Sequence, residues 1–88
     1  MARRPETAAE GVVVAAVTPR TPAARAGLRP GDRILAINGA GLRDVIDFHF
    51  HAGEEHLRLS VEREGRARTA RLRRGAAGLG LQLEAPRP

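Results

Sequence analysis

Residues Gly11–Leu42, GVVVAAVTPRTPAARAGLRPGDRILAINGAGL, decide how this chain folds. They read in order as a buried strand, a short capped helix, a Gly-Asp turn, a second strand and an Asn-Gly turn. Val12, Val13, Val14 and Val17 supply the β-branched bulk that suits a packed, pleated surface. Thr18-Pro19 closes that strand. Thr21 then stands where a helix N-cap belongs, with Pro22 at the first helical position, where no backbone N–H is required. Ala23 to Ala26 are helix formers, and Gly27 falls at the left-handed position past the helix end. Arg29-Pro30-Gly31-Asp32 turns the chain into Ile34-Leu35-Ala36-Ile37, and Asn38-Gly39 turns it back.

Taken together, the strand, the Pro-Ala-x-x-Ala-Gly-Leu segment and the Gly-Asp-x-Ile-Leu-x-Ile-Asn-Gly segment resemble the middle of a PDZ domain. The match is ordered and dense over about thirty residues, whereas a stray "AGL…GD" turn in another small αβ domain would match only in part. The resemblance implies a mostly β fold with two short helices, an antiparallel barrel or sandwich.

The rest of the chain extends outward from this block. Residues 1–10 are polar, hold Pro5 and lack periodicity, so a disordered N-terminal tail is expected there. A single domain is expected over 11–84. Residues 85–88, Ala-Pro-Arg-Pro, do not continue a ladder and read as a tail or a linker.

Residues 42–53, LRDVIDFHFHAG, carry two patterns. As a helix capped by Asp44, the segment spreads Val45, Ile46, Phe48, Phe50 and Ala52 over an arc of about 200°, with Asp47 and His51 paired on the opposite face. As a strand, Ile46, Phe48 and Phe50 alternate with Asp47, His49 and His51. Periodicity alone leans toward the strand. The resemblance implies the helix, because the second PDZ helix follows this turn, and a helix that starts late is the reading adopted.

His56–Glu64 alternates Leu57, Leu59 and Val61 against Arg58, Ser60 and Glu62, a half-buried strand. Glu64-Gly65 turns it into Arg66–Arg73, with Ala70 and Leu72 inward. After a loop at 75–78, Leu79, Leu81 and Leu83 alternate with Gly80, Gln82 and Glu84 as a last strand.

Composition narrows the function. Eighty-eight residues make one small domain. No apolar run is long enough for a membrane span, and MARRPETAAE lacks the apolar core of a secretory signal. There is no cysteine, which excludes disulfides, thiolate metal sites and a cysteine nucleophile within these residues. A cytoplasmic setting fits. Ser60, the single serine, has no partnered base, and paired carboxylates such as Glu54-Glu55 read as turn charges, so no catalytic residue is expected. His49 and His51 converge only if their segment is a strand, and no third ligand has metal spacing, so neither metal nor cofactor is expected.

Net charge is +5, and all fifteen basic residues are arginine. Arg58, Arg63, Arg66, Arg68, Arg71, Arg73 and Arg74 crowd one hairpin. An electrostatic binder of nucleic acid or acidic protein is therefore an alternative reading. Nucleic acid is disfavoured because Tyr and Trp are absent, both Phe residues fall in the expected core helix, and Glu62 and Glu64 dilute the patch.

The residue-level site rests on the end of the chain. In the familiar PDZ order, a first strand leads to a Gly-Leu-Gly-Phe loop, and the strand after it lines the peptide groove. Here Arg68–Arg74 followed by Gly78-Leu79-Gly80-Leu81 is similar to that unit but comes last, which implies a circular permutation. Glycines at 78 and 80 allow successive N–H groups to converge on an anion, and the implied anion is a peptide's terminal carboxylate. Leu79 and Leu81 are expected to line the terminal side-chain pocket. Gln82 and Leu83 are expected to pair with the ligand backbone, and Arg73 or Arg74 to assist the carboxylate. Val45, Ile46 and His49 would form the opposite wall. One PDZ class reads a ligand hydroxyl with a histidine at the helix start. Here Asp44 or Val45 stands there, so that specificity is not implied.

The phrases INGAGLRDVIDFHF and LGLQLE also look like the PDZ-like domain at the N-terminus of bacterial radical-SAM-type iron–sulfur proteins. That resemblance implies an excised docking module without chemistry, since no Cys-x-x-x-Cys-x-x-Cys is present. The expected partner is a protein or peptide C-terminus bound by a monomer, with no membrane contact. The alternative is a structural appendage whose groove is already occupied.

Overall fold

The expected turns organise the chain as read. A computed structural model describes residues 11–74 and 78–84. The expected tails at 1–10 and 85–88, and most of the 75–78 loop, lie outside the described residues. In chain order the elements are β1 (Val12–Val17), α1 (Pro22–Arg25), β2 (Arg33–Ile37), β3 (Ala40–Gly41), α2 (Val45–His51), β4 (His56–Arg63), β5 (Arg66–Arg73) and β6 (Leu81–Leu83).

Local chemistry accounts for each break. The Thr21 hydroxyl accepts from the Ala24 N–H at 3.3 Å and donates to the Thr18 carbonyl at 2.7 Å, so one side chain both ends β1 and starts α1. Asn38 and Gly39 both take positive φ, 50° and 88°, which gives the tight reversal from β2 into β3. Asp44 caps α2 by accepting from the Asp47 N–H at 2.9 Å. Asp47 in turn accepts from the Arg43 N–H and Nε at 2.9 and 3.3 Å, so its hydrogen bonds go to Arg43, and the expected His51 acts on it only through space. The Arg43 N–H, first of these contacts, holds the Asp47 carboxyl below its ordinary pKa.

The strands form one antiparallel sheet in the order β5-β4-β2-β1-β6, with β3 hung on β2. Its ends do not meet, so the expected barrel is an open sheet. The last strand lies beside the first: Val17 pairs with Leu81, Ala16 with Gln82 and Val14 with Leu83.

Val14, Ile34, Ile37, Leu42, Leu59 and Val61 are fully buried and form the centre of the core. Phe48 closes it from α2, Ala52 from the C-cap of that helix and Ala23 from α1. The expected five-residue apolar arc on α2 is corrected here. Ile46 and Phe50 are 73% and 80% exposed, and only Phe48, Ala52 and, in part, Val45 face the sheet. A lone seven-residue helix rests on the sheet along one stripe, narrower than the 200° its apolar residues span. Phe50 is therefore no core residue, and the expectation that both phenylalanines are buried fails for it.

The arginine-rich hairpin is also less free than its composition suggests. Asp32, 1% exposed, receives Arg63 Nε and Nη2 on its two carboxylate oxygens, each at 2.7 Å, and the Arg29 N–H at 3.0 Å. Arg63 Nη2 also donates to the Gly27 carbonyl, and Arg68 donates to the carbonyls of Gly27 and Ala26. Two arginines thus satisfy the carbonyls at the C-terminal end of α1 and fasten it to β4 and β5. The hydrogen-bonded Arg63 guanidinium holds the Asp32 carboxyl below the ordinary carboxylate range, against desolvation that pushes the other way.

Candidate functional site

The site lies where β6 runs beside α2. β6 has β1 on one side and, among the described residues, no strand on the other. Its hydrogen bonds say which groups face outward. Thr18 N–H donates to the Gly80 carbonyl at 2.9 Å, and Glu84 N–H donates to the Val13 carbonyl at 2.8 Å. Residues 80 and 84 therefore address β1. Antiparallel alternation turns Gln82 the same way and leaves the N–H and C=O groups of Leu81 and Leu83 on the open edge.

The turn before β6 is set by one further bond and a close approach. Ala23 N–H, in the first turn of α1, donates to the Leu79 carbonyl at 3.0 Å. In a planar trans peptide the N–H points opposite to the C=O. With the Leu79 and Gly80 carbonyls tied to α1 and β1, the following amides, those of Gly80 and Leu81, are directed away from that corner. Gly80 has φ +89°, and a Cβ there would overlap the Thr21 side chain. Only glycine permits both the backbone angle and the contact. Gly78 also has φ +92°. Two consecutive outward amides on a glycine-bordered turn can hold a carboxylate.

A cleft of about 360 Å³ separates β6 from α2, lined by Val45, Phe48, His49, Leu81, Gln82, Leu83 and Glu84. Its floor and sides are apolar through Phe48, Val45, Leu81 and Leu83, while His49, Gln82 and Glu84 bring polar groups. The structure thus brings together Val45, His49, Leu81, Gln82 and Leu83 of the expected set. The others sit elsewhere. Leu79 is 8% exposed and packs into the core beneath the turn, not along the cleft. Ile46 points to solvent and does not line the cleft. Arg73 pairs with Glu55 at 3.6 Å, and Arg74 donates from its backbone and Nε to the carbonyls of Glu55 and Glu54. Both arginines are thereby seated on the 54–55 turn.

Phe48 and Glu84 belong to the cleft although the sequence did not single them out. Phe48 sits three residues after Val45, on the same helix face, and Glu84 prolongs the strand by one residue, so spacing could have found both. Among the described residues no three His, Asp or Glu side chains gather into a metal-binding group. No described helix is long and apolar enough to cross a membrane.

Comparison with known proteins adds the family. A PDZ domain family model matches residues 13–63. The magnetosome formation protease MamE of Paramagnetospirillum magneticum is 46% identical over 74 residues, covering 78% of this chain and 10% of that protein. The putative serine protease HhoB of Synechocystis sp. is 49% identical over 41 residues, covering 47% of this chain and 10% of its own length. The chain therefore spans about a tenth of the length of these relatives. Among solved structures, the crystal structure of the PDZ domain of the SdrC-like protein from Listeria monocytogenes superposes with a TM-score of 0.70 at 20% identity, covering 93% of both chains.

Proposed function

The chain belongs to the PDZ domain family, and on that premise we propose that it captures a peptide or protein C-terminus as an added strand between β6 and α2. A PDZ domain is a protein-interaction module and is itself non-catalytic. The observation that carries the reading is the open outer edge of β6, facing α2 across the cleft. The terminal carboxylate rests on the amides of Gly80 and Leu81. The last side chain, apolar and of moderate size, enters among Leu81, Leu83, Val45 and Phe48. Leu81 and Leu83 exchange backbone hydrogen bonds with the ligand, and His49, Gln82 and Glu84 face its upstream residues. Arg73 and Arg74 contribute positive potential at a distance, since their bonds go to the 54–55 turn.

The order of elements is read as circularly permuted: the strand–turn–groove-strand unit that opens a familiar PDZ domain stands last here. The pairing of β6 with β1 supports that reading. Because the chain matches only a tenth of its relatives, the module is assigned to a larger protein, where a captured terminus is delivered to a neighbouring domain. A protease context is better supported than the iron–sulfur one, since both relatives named above carry it in their names.

The test is a titration of isotope-labelled chain with short peptides ending in a free carboxylate or an amide. Free acids are expected to shift Gly80 to Leu83 and to bind about tenfold or more tighter, the scale of losing a charge-assisted hydrogen bond. Equal binding of the amides would remove the carboxylate role, and silence of β6 would remove the groove.

A further inference from the structure

The β4–β5 hairpin sorts its arginines by face. On the inner side, Arg63 and Arg68 are spent on Asp32 and the end of α1. The outer side is built differently. There Arg58 stands directly opposite Arg71, with His56 opposite Arg73 and Ser60 opposite Thr69. Side chains in such register have Cβ atoms about 4.5–5.5 Å apart, and like charges so placed repel. Arg58 and Arg71 have no carboxylate partner among the described ion pairs; Glu55 reaches only Arg73. Between them lies a depression of about 220 Å³, lined by Asn38, His56, Leu57, Arg58, Arg71 and Leu72. Asn38 is fixed at its rim: its Oδ1 accepts from the Arg58 N–H at 2.8 Å and its backbone N–H donates to the Arg58 carbonyl.

We propose that this depression is a second binding site, separate from the groove, for an acidic segment of a partner protein, whose carboxylates are held by Arg58 and Arg71. Charge complementarity selects the occupant. Two guanidinium forks suit carboxylates, and at the edge of the patch the Glu55 carboxylate lies 3.6 Å from Arg73 Nε. The positive surface is short. Glu54 and Glu55 border one end, and Glu62, on the same face of β4, borders the other. A brief acidic stretch fits between them, whereas an extended phosphate backbone meets repulsion at both ends. The patch also offers no Phe, Tyr or Trp ring for base stacking, only the single imidazole of His56.

The experiment titrates labelled chain with a hexaglutamate peptide blocked at both ends, which has no free C-terminus to enter the groove. Expected are shifts confined to residues 56–60 and 69–73, weakened by salt. The R58E/R71E variant is expected to lose about tenfold in affinity, the sum of several surface ion-pair terms. It should bind the groove peptide as before. The R58Q/R71Q variant relieves the repulsion without adding charge and should melt no lower than the parent while losing the same ligand. Three results overturn the proposal. The blocked acidic peptide binds no better than a blocked neutral one, its shifts fall on residues 80–84, or duplex DNA at equal charge binds the same amides more tightly. The first and third leave carboxylate capture in the groove untouched, so the two sites fail independently.

Discussion

The two edges of the sheet are built on opposite principles. β5 forms one edge over eight residues and carries arginines at 66, 68, 71 and 73. Charge of that density defends an edge against stray strands, and Arg68 ties this one to α1. β6 forms the other edge over three residues, Leu-Gln-Leu, with no charge on the strand. It lies beside a helix and ends a glycine turn whose carbonyls are tied back. On the proposed function, the sheet armours one edge and leaves the other neutral for a partner. The difference lies in side chains and turn geometry, since both strands pair antiparallel with a single neighbour.

The most damaging way to break the comparison strikes the charged side at its buried anchor. Asp32→Ala leaves Arg63 without its carboxylate and the Arg29 N–H without an acceptor. Removing one member of a buried pair costs about 3–5 kcal/mol, and the quarter-exposed Arg63 side chain places this case near the low end. The thermal midpoint should fall by more than 10 °C on the usual scaling, roughly 4–8 °C per kcal/mol for a domain this size. The same pair sets an acid limit. The Asp32 carboxyl is depressed in the fold, so its contribution is full above its unfolded pKa, near 3.8, and is lost as pH falls through the lower folded value. Melts from pH 6 down to pH 2 should show that loss in the parent and lack this component in D32N.

Next comes the turn that makes the neutral edge useful. Gly80→Val forces a β-branched residue into positive φ and against Thr21, at about 2–4 kcal/mol from strain and overpacking together. Peptide binding should disappear even at temperatures where the variant remains folded, read by circular dichroism beside the titration.

Leu83→Pro separates folding from binding. The Leu83 N–H faces outward, so proline removes a ligand donor and spares the β1 ladder. Binding should weaken about tenfold with a modest drop in melting temperature. Gln82→Pro, which deletes a donor toward β1, should instead destabilise the strand. The smallest change is expected from Arg66→Ala on the armoured edge. An exposed side chain away from the anchors should alter the midpoint by about 2 °C or less and leave groove binding unchanged.

Much of this was legible in the residues. Thr21-Pro22, Asn38-Gly39 and the alternation of Leu57, Leu59 and Val61 each encode a local rule, and the fold obeys them. The 42–53 segment was not decided by period, because Ile46, Phe48 and Phe50 satisfy strand alternation as well as a broad helical arc. The Asp44 cap and the sheet's narrow landing stripe resolve it, and the stripe exists only after folding. Two members of the arginine patch were misleading for the same reason. Arg63 and Arg68 reach residues 31 and more positions away along the chain, and nothing in their spacing announces it. In the groove, alternation placed Leu81 and Leu83 together, but Leu79 went into the core because the turn at Gly80 breaks the strand's period.

Residue-resolved amide exchange on β6 tests the central claim most directly. Gln82 and Glu84 should be protected in the free protein, while Leu81 and Leu83 exchange quickly and slow by at least about tenfold when a free-acid peptide saturates the groove. Protection of Leu81 and Leu83 before any peptide is added, or exchange there that the peptide leaves unchanged, would contradict it.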